Sequence, residues 1–121
     1  MEHRSPTVDE LAQVPVLSSL DEDALARLAE RMERRELTPG EAVLREGEDD
    51  DRFFVVLSGL LGVRQEDAGQ QAVLTQGEYF GEIALLEHVH RTATVVALSA
   101  AAVASCDEAT FDELVAPLFW A

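Results

Sequence analysis

Residues 77–94 read GEYFGEIALLEHVHRTAT, and this stretch decides how the chain is interpreted. It interrupts a series of short apolar runs. Residues 82–86 predict a single helical turn, because Ala and Leu favour helix and the run is too short for a longer one. Gly81 comes directly before that turn, and a residue without Cβ lets a bound molecule approach the backbone closely. The stretch therefore predicts a binding segment inserted between strands.

The functional groups of this segment suit a small phosphorylated ligand. Free backbone N–H groups at Glu82, Ile83 and Ala84 would face the ligand at the start of the turn, where anions are favoured. Arg91 can supply a rigid two-pronged donor to a phosphate. An ionised Glu82 only accepts hydrogen bonds, so it suits sugar hydroxyls. We therefore expect binding of such a ligand without chemistry on it.

The residues around this segment form short apolar runs separated by turn-forming residues. The pattern begins after Pro39-Gly40. Many short strands closed by such turns favour an antiparallel sandwich or roll over alternating strands and helices. The predicted strands are residues 42–44, 53–57, 60–63, 72–75, 94–98 and 101–105, with a hairpin turn at 66–70.

Two helices are predicted before the strands. Thr7 can cap a short helix that runs to Val14 and stops at Pro15. Asp21 precedes a longer helix over residues 22–34, in which apolar residues recur at spacings of three and four.

A further helix is predicted after the strands. Asp107 is its N-cap, and Pro117 ends it. Three apolar residues share one of its faces: Phe111, Leu114 and Val115. Residues 118–120 then leave an apolar tip at the C-terminus, which makes association with another chain plausible.

Charge and composition limit the function classes. The formal net charge is −15, and all nine basic residues are Arg, so nucleic acid and anionic membranes are unfavourable partners. No signal peptide and no apolar run of about 20 residues is visible, which predicts a cytoplasmic protein without membrane insertion. Cys106 is the only cysteine; it excludes an intramolecular disulfide and is interpreted as a buried structural thiol.

The central segment resembles the phosphate-binding cassette of cyclic-nucleotide-binding domains. These occur in regulatory subunits of cyclic-AMP-dependent kinases, in cyclic-nucleotide-gated channels and in the bacterial catabolite activator protein. The family pattern is Phe-Gly-Glu, a short apolar turn, and Arg-(Ala/Thr/Ser)-Ala. This sequence supplies Phe80-Gly81-Glu82, residues 83–86 and Arg91-Thr92-Ala93, with the family's spacing from Glu to Arg. The resemblance extends over residues 10–117.

The resemblance implies a mainly β fold, an antiparallel β-roll of the double-stranded jelly-roll type, with N-terminal helices, a short cassette helix and a C-terminal helix. It implies that Glu82 binds the ribose 2′-hydroxyl and that Arg91 binds the cyclic phosphate. Thr92 would offer its hydroxyl to the phosphate or to a purine. The implied ligand is cyclic AMP or cyclic GMP, with no other cofactor, and the implied ligand-binding residues are Gly81, Glu82, Ile83, Ala84, Arg91 and Thr92.

Two departures from the family pattern bear on the base and on the output. His90 stands where the family often has Pro, and the sequence has one C-terminal helix where relatives add another that covers the base. We therefore expect a binding domain over residues 7–117, a loose tail over 1–6, and a tip over 118–121 that leads to a missing lid or effector. The lid could be absent or come from a partner, and the partners considered for the domain are an effector domain or a further copy of the chain.

Other functions remain as alternatives. A module of this fold could serve interactions without binding a cyclic nucleotide. His88 and His90 resemble the His-x-His pair of cupin metal sites, but residues 91–98 lack the carboxylate which that pattern requires. The acidic run at 46–51 lacks the ligand spacing of a calcium loop and is interpreted as a solvated turn. No nucleophile–base pair is visible, so neither a metal site nor an enzyme is expected.

Overall fold

A computed structural model describes residues 4–49 and 51–120, and two four-stranded antiparallel sheets form its centre. One sheet has the order β1-β8-β3-β6 and the other has the order β2-β7-β4-β5. This arrangement confirms the predicted mainly β class and the antiparallel roll. The strands are β1 Glu33–Leu37, β2 Ala42–Leu44, β3 Phe53–Ser58, β4 Leu61–Gln65, β5 Gly69–Leu74, β6 Tyr79–Phe80, β7 Thr94–Ala97 and β8 Ala101–Cys106.

Strand β3 is buried on both faces and therefore separates two parts of the core. Its side chains alternate in direction. Phe53, Val55 and Leu57 pack among the helices on one side of the sheet. Phe54 and Val56 pack between the two sheets. An uninterrupted apolar strand is the expected sequence for this position, because neither face meets water.

The N-terminal helices begin at the predicted caps. The Thr7 hydroxyl accepts a hydrogen bond from the Glu10 amide, and the Glu10 carboxylate accepts one from the Thr7 amide, both at 3.0 Å. The Asp21 carboxylate accepts a 2.8 Å bond from the Ala24 amide. The helical segments are α1 Val8–Ala12, a 3₁₀ turn at Pro15–Leu17 and α2 Glu22–Arg31.

The prediction of one helix over residues 22–34 is wrong at its C-terminal end. Helix α2 stops at Arg31, because Met32 adopts an extended backbone with ψ of 152°. The following residues form β1, which pairs with β8 from Glu33–Ser105 to Leu37–Ala101. Strand β1 lies at a sheet edge and is mostly charged, so it lacks the apolar alternation by which a strand is recognised.

The segment before α1 lies against β1. The Arg4 carbonyl accepts a 2.7 Å hydrogen bond from the Arg34 amide, and the Arg4 guanidinium lies 3.7 Å from the Glu36 carboxylate. Pro6 is buried. Within the predicted tail, the Arg4 backbone is thus hydrogen-bonded to β1 and Pro6 is buried, whereas residues 1–3 lie outside the described residues.

The C-terminal segment continues beyond the predicted stop. Asp107 caps it as predicted, through a 2.9 Å bond from the Thr110 amide. Helix α4 Glu108–Thr110 leads into a π turn at Phe111–Val115 and a 3₁₀ turn at Ala116–Phe119. Pro117 lies in the first turn of that last element, where a missing N–H group costs nothing, so it does not end the helical path. No helix of the described ranges is long and apolar enough to cross a membrane.

The predicted apolar tip is only partly exposed. Leu118 and Phe119 pack against the helix-side core, and the Phe119 ring lies 5.5 Å from the Tyr79 ring. Trp120 is 72% exposed. Among the described residues of the tip, Trp120 therefore contributes most of the exposed apolar surface, and Ala121 lies outside the described residues.

Cys106 ends β8 and confirms the expectation of a buried structural thiol. Its side chain is fully buried in the helix-side core. Burial raises the pKa of this thiol to about 12, although the nearby Arg52 charge acts in the opposite direction. The thiolate is therefore scarce at neutral pH.

Candidate ligand-binding site

A cavity of about 220 Å³ opens between the second sheet and the segment that follows β6. Apolar side chains of β2, β4, β5 and β7 line one side of it, among them Leu44, Val63 and Val95. The tertiary structure brings all the predicted ligand-binding residues to this cavity. Its lining includes Gly81, Glu82, Ile83, Ala84, Arg91 and Thr92.

Helix α3, Glu82–Glu87, begins at one wall of the cavity. Its N-cap is Gly81, whose φ of 93° lies in the left-handed region that favours glycine. A Cβ at this position would lie 2.8 Å from the Arg52 carbonyl oxygen and 3.2 Å from the Arg91 Nη1 atom. The packing of the protein itself therefore requires glycine here, in addition to the predicted access for a ligand.

Arg91 is buried at the edge of the cavity and is held by both its side chain and its backbone. Its side chain is 3% exposed. Nη1 donates a 2.9 Å hydrogen bond to the Gly81 carbonyl, and Nη2 donates a 2.6 Å bond to the Arg52 carbonyl. The Arg91 amide donates a hydrogen bond to the Glu48 carbonyl, and the Arg91 carbonyl accepts one from the Gly47 amide. The guanidinium is thus oriented before any anion arrives, which lowers the entropic cost of binding.

Glu82 supplies the acceptor of the cavity. Its Oε2 atom is buried and has no hydrogen-bond partner among the described residues. Burial raises the pKa of this carboxyl, against the effects of the amides of Glu82 and Ile83 and of the Arg91 charge. A buried acceptor without a partner is unfavourable, and a hydroxyl donor would satisfy it.

The remaining predicted residues have different exposures. Thr92 is exposed, and its carbonyl accepts a 3.2 Å hydrogen bond from the Gln65 side chain. Ile83 is 48% exposed at the rim. Phe80 is buried and stacks on Phe54 at 4.9 Å between ring centres, which confirms its interpretation as a core residue.

His88 and His90 are absent from the lining of this cavity. These two histidines line a second cleft of about 590 Å³, together with Ala84 and Leu85 of α3. His90 forms a short contact with the Asp49 carboxylate through Nδ1. Within residues 4–49 and 51–120, no group of three or more His, Cys, Asp or Glu side chains is arranged to hold a metal ion.

Sequence reasoning missed the loop that holds Arg91. Gly47, Glu48 and Arg52 contact Arg91 through backbone atoms, whereas the sequence of the acidic run at this position predicts only a solvated turn. Backbone contacts leave no compositional signal. The positive φ of Gly47, 86°, indicates a defined turn, but glycine by itself does not reveal what the turn contacts.

The comparison with protein families decides the class of this site. The family model described as the cyclic nucleotide-binding domain matches residues 34–117. The chain belongs to the cyclic nucleotide-binding domain family. It is a ligand-binding domain of the regulatory type, and the match includes the whole segment that carried the sequence resemblance.

Similar proteins include regulatory subunits of cAMP-dependent protein kinases and a cGMP-dependent protein kinase. The chain is 39% identical over 109 residues to a cAMP-dependent protein kinase regulatory subunit from Yarrowia lipolytica, covering 89% of the chain and 29% of the relative. It is 34% identical over 124 residues to a cGMP-dependent protein kinase from Caenorhabditis briggsae, covering 98% of the chain and 17% of the relative. The chain thus spans less than a third of these curated relatives.

Solved structures share the fold of this cyclic nucleotide-binding domain. The regulatory domain of Toxoplasma gondii PKA with cAMP superposes with a TM-score of 0.85 at 25% identity, covering 92% of this chain and 44% of that one. The regulatory subunit of a cAMP-independent protein kinase A from Trypanosoma brucei gives a TM-score of 0.87 at 26% identity, covering 92% and 41%. Both structures support the arrangement of the two sheets described above.

Proposed function

We propose that this domain binds cyclic AMP or cyclic GMP reversibly in the cavity at α3 and relays its occupancy to a protein kinase. The observation that carries the proposal is the buried, preoriented guanidinium of Arg91 beside the start of α3. A buried cation in a chain of net charge −15 provides a local site for an anion, because the protein around the cavity limits screening by water and salt.

Each group of the cavity has a role in this proposal. Arg91 binds the cyclic phosphate, together with the amides that follow Gly81 and with the Thr92 hydroxyl. Glu82 accepts a hydrogen bond from the ribose 2′-hydroxyl, which satisfies its buried Oε2 atom. The purine lies toward the apolar side of the cavity, near Val63 and Val95. These roles use hydrogen bonds to charged groups, each worth about 1.5–3 kcal/mol.

The regulated partner is proposed from the relatives. Regulatory subunits of cAMP-dependent kinases and a cGMP-dependent kinase match almost the whole chain, so the proposed effector is a kinase catalytic domain. Residues 7–117 form the proposed binding domain, and residues 118–121 link it to a lid or effector. The C-terminal segment repacks on binding, because Phe119 contacts Tyr79, which lines the cavity. A cytoplasmic location remains part of the proposal.

Calorimetric titration with cyclic AMP and cyclic GMP in parallel tests this function. We expect one site of micromolar or tighter affinity for at least one of them. Adenosine and guanosine serve as controls without phosphate, and should bind much more weakly because they leave Arg91 without an anion. Absence of heat with both cyclic nucleotides, on protein shown to be folded by circular dichroism, contradicts the proposal.

A second candidate is a module of the same fold that does not respond to cyclic nucleotides. It is favoured by one observation: a close structural match is the regulatory subunit of a kinase described as cAMP-independent. The fold alone therefore does not decide the ligand. Nucleoside binding with equal or higher affinity than cyclic nucleotide binding, in the same titrations, would favour this candidate.

A further inference from the structure

Arg52 lies between the site for the ligand phosphate and the end of β8. Its backbone carbonyl accepts the 2.6 Å hydrogen bond from Arg91 Nη2. Its side chain extends to Ser105, where Nε donates to the hydroxyl at 3.0 Å and Nη2 donates to the carbonyl at 3.2 Å. One residue thus contacts Arg91 through its backbone and the β8 strand through its guanidinium.

Both contacts involve buried polar groups. The buried polar or charged residues of the described chain are Arg91, Ser105 and Thr110, and Arg52 hydrogen-bonds to the first two. Buried polar groups are costly unless they are hydrogen-bonded, so these contacts are under strong geometric constraint. Arg52 is therefore held in one position, because Arg91 and Ser105 have few alternative hydrogen-bond partners.

The position of Arg52 in the chain explains why a side-chain anchor is useful there. Pairing between β3 and β8 begins at Phe53 and Cys106, one residue after Arg52. The Arg52 carbonyl thus lies just outside the paired part of the strand. Its guanidinium, bonded twice to Ser105, fixes the backbone at this point to the neighbouring strand.

We propose that Arg52 is a positioning residue for the ligand phosphate: its anchor on Ser105 holds the carbonyl that orients the Arg91 guanidinium. The proposal rests on the proposed function, since it concerns the same site. Arg52 is absent from the cavity lining that the described residues define, so it acts through Arg91 and not by contact with the ligand. The pKa of Asp107 is lowered mainly by its hydrogen bonds with Thr110, and the Arg52 charge lowers it further. Arg52 therefore lies near the cap of the C-terminal segment.

The test compares Arg52→Gln, Ser105→Ala and the double variant with a charge-matched control. Arg27→Gln is that control, because it removes one positive charge from an exposed side chain of α2, whose ion-pair distance to Glu113 is 3.7 Å. We expect about a tenfold loss of cyclic nucleotide affinity for Arg52→Gln, equal to about 1.4 kcal/mol. The double variant should lose little more, because both substitutions break the same link. Arg27→Gln should bind as the unaltered chain does.

A second readout separates positioning from general loss of stability. The Sp and Rp phosphorothioate diastereomers of the cyclic nucleotide place sulfur at one or the other exocyclic position of the phosphate. Their affinity ratio reports how the guanidinium is aimed at the phosphate, and a merely structural role leaves it unchanged. We expect Arg52→Gln to bring this ratio closer to one and Arg52→Lys to restore part of it. All variants are measured below their own unfolding temperatures.

The outcomes distinguish this inference from the function on which it rests. Unchanged affinity and an unchanged diastereomer ratio in folded Arg52→Gln overturn the positioning role while the proposed function stands. Weakened affinity with an unchanged ratio and additive effects of the two substitutions also overturns it, in favour of a structural role. Failure of the unaltered chain to bind either cyclic nucleotide overturns both proposals.

Discussion

The Nη1 atom of Arg91 lies 2.9 Å from the carbonyl oxygen of Gly81, so the guanidinium of the site is hydrogen-bonded to the N-cap residue of α3. Gly81 also has a left-handed backbone conformation, and the packing leaves no room for a Cβ beside the Arg91 guanidinium. Two residues ten positions apart thus form one structural unit. Any change that moves the start of α3 therefore also moves the guanidinium, which is the basis of the first two predictions.

Arg91→Ala should lower cyclic nucleotide affinity by about 100-fold or more. Two charge-assisted hydrogen bonds to a phosphate contribute about 1.5–3 kcal/mol each. Calorimetry measures the loss, and circular dichroism should show that the domain still folds. Arg91→Lys should recover only part of the affinity, because lysine keeps the charge but lacks the two-pronged geometry. Normal binding by folded Arg91→Ala would show that the phosphate assignment is wrong.

Gly81→Ala should destabilise the domain more than Gly69→Ala does. Both glycines have positive φ, 93° and 71°, so both substitutions incur the left-handed penalty of about 1–2 kcal/mol. Only at Gly81 would the new Cβ also meet protein atoms, the closest at 2.8 Å, whereas nothing lies within 4 Å at Gly69. Crowding adds about 1–3 kcal/mol. Denaturant unfolding of both variants measures how much each lowers the free energy of unfolding. Equal losses would show that neighbouring atoms move and relieve the crowding at position 81.

Glu82→Gln should stabilise the ligand-free domain near neutral pH and weaken ligand binding. Burial raises the pKa of Glu82, so folding is less favourable when this carboxyl is charged than when it is neutral. The stability linked to this raised pKa is present below the unfolded-state value of about 4.3 and is lost as the pH rises through the folded-state value. The advantage of the variant should therefore be largest at neutral pH and shrink on acidification.

Thermal unfolding of the unaltered chain and Glu82→Gln, at matched pH values from about 7 to about 4, measures this difference. Glu22→Gln is a suitable control, because its exposed side chain lies on α2 and is absent from the lining of the cavity. A constant difference between Glu82→Gln and the unaltered chain over this pH range contradicts the assignment of the raised pKa to Glu82.

Trp120 should become less accessible to a soluble quencher when the cyclic nucleotide binds. It is the chain's one tryptophan and is 72% exposed without ligand. It follows Phe119, whose ring contacts the cavity residue Tyr79, so occupancy of the cavity bears directly on this segment. Acrylamide quenching of tryptophan fluorescence measures the effect, with Arg91→Ala as the control that should not respond. Identical quenching at ligand saturation would mean that the C-terminal segment does not repack.

The site could be predicted because its chemistry is local in sequence. The segment from Phe80 to Thr92 carries the glycine, the carboxylate, the helix start and the arginine, and the structure brings all of them to one cavity. The caps at Thr7, Asp21 and Asp107 were predictable for the same reason, because a cap is formed by residues within one turn of one another. The ligand-binding roles of residues 80–92 stay predictions until binding is measured.

Strand β1 and the Arg52 contacts could not be predicted in this way. Edge strand β1 is held by backbone pairing to β8, nearly 70 residues away, and its charged side chains give no apolar alternation. Arg52 and Ser105 meet only because β3 and β8 pair. Likewise, the need for glycine at position 81 comes from the Arg52 carbonyl.

The segment expected to bind the ligand, the positions of most strands along the chain and the family resemblance could be predicted from the sequence, because these depend on neighbouring residues and on short-range periodicity. The end of α2, the continuation of the segment after Pro117 and the groups that orient Arg91 could be seen only in the folded structure. Those features depend on hydrogen bonds and packing between residues distant in the chain. Such contacts exist only once the two sheets have closed on each other.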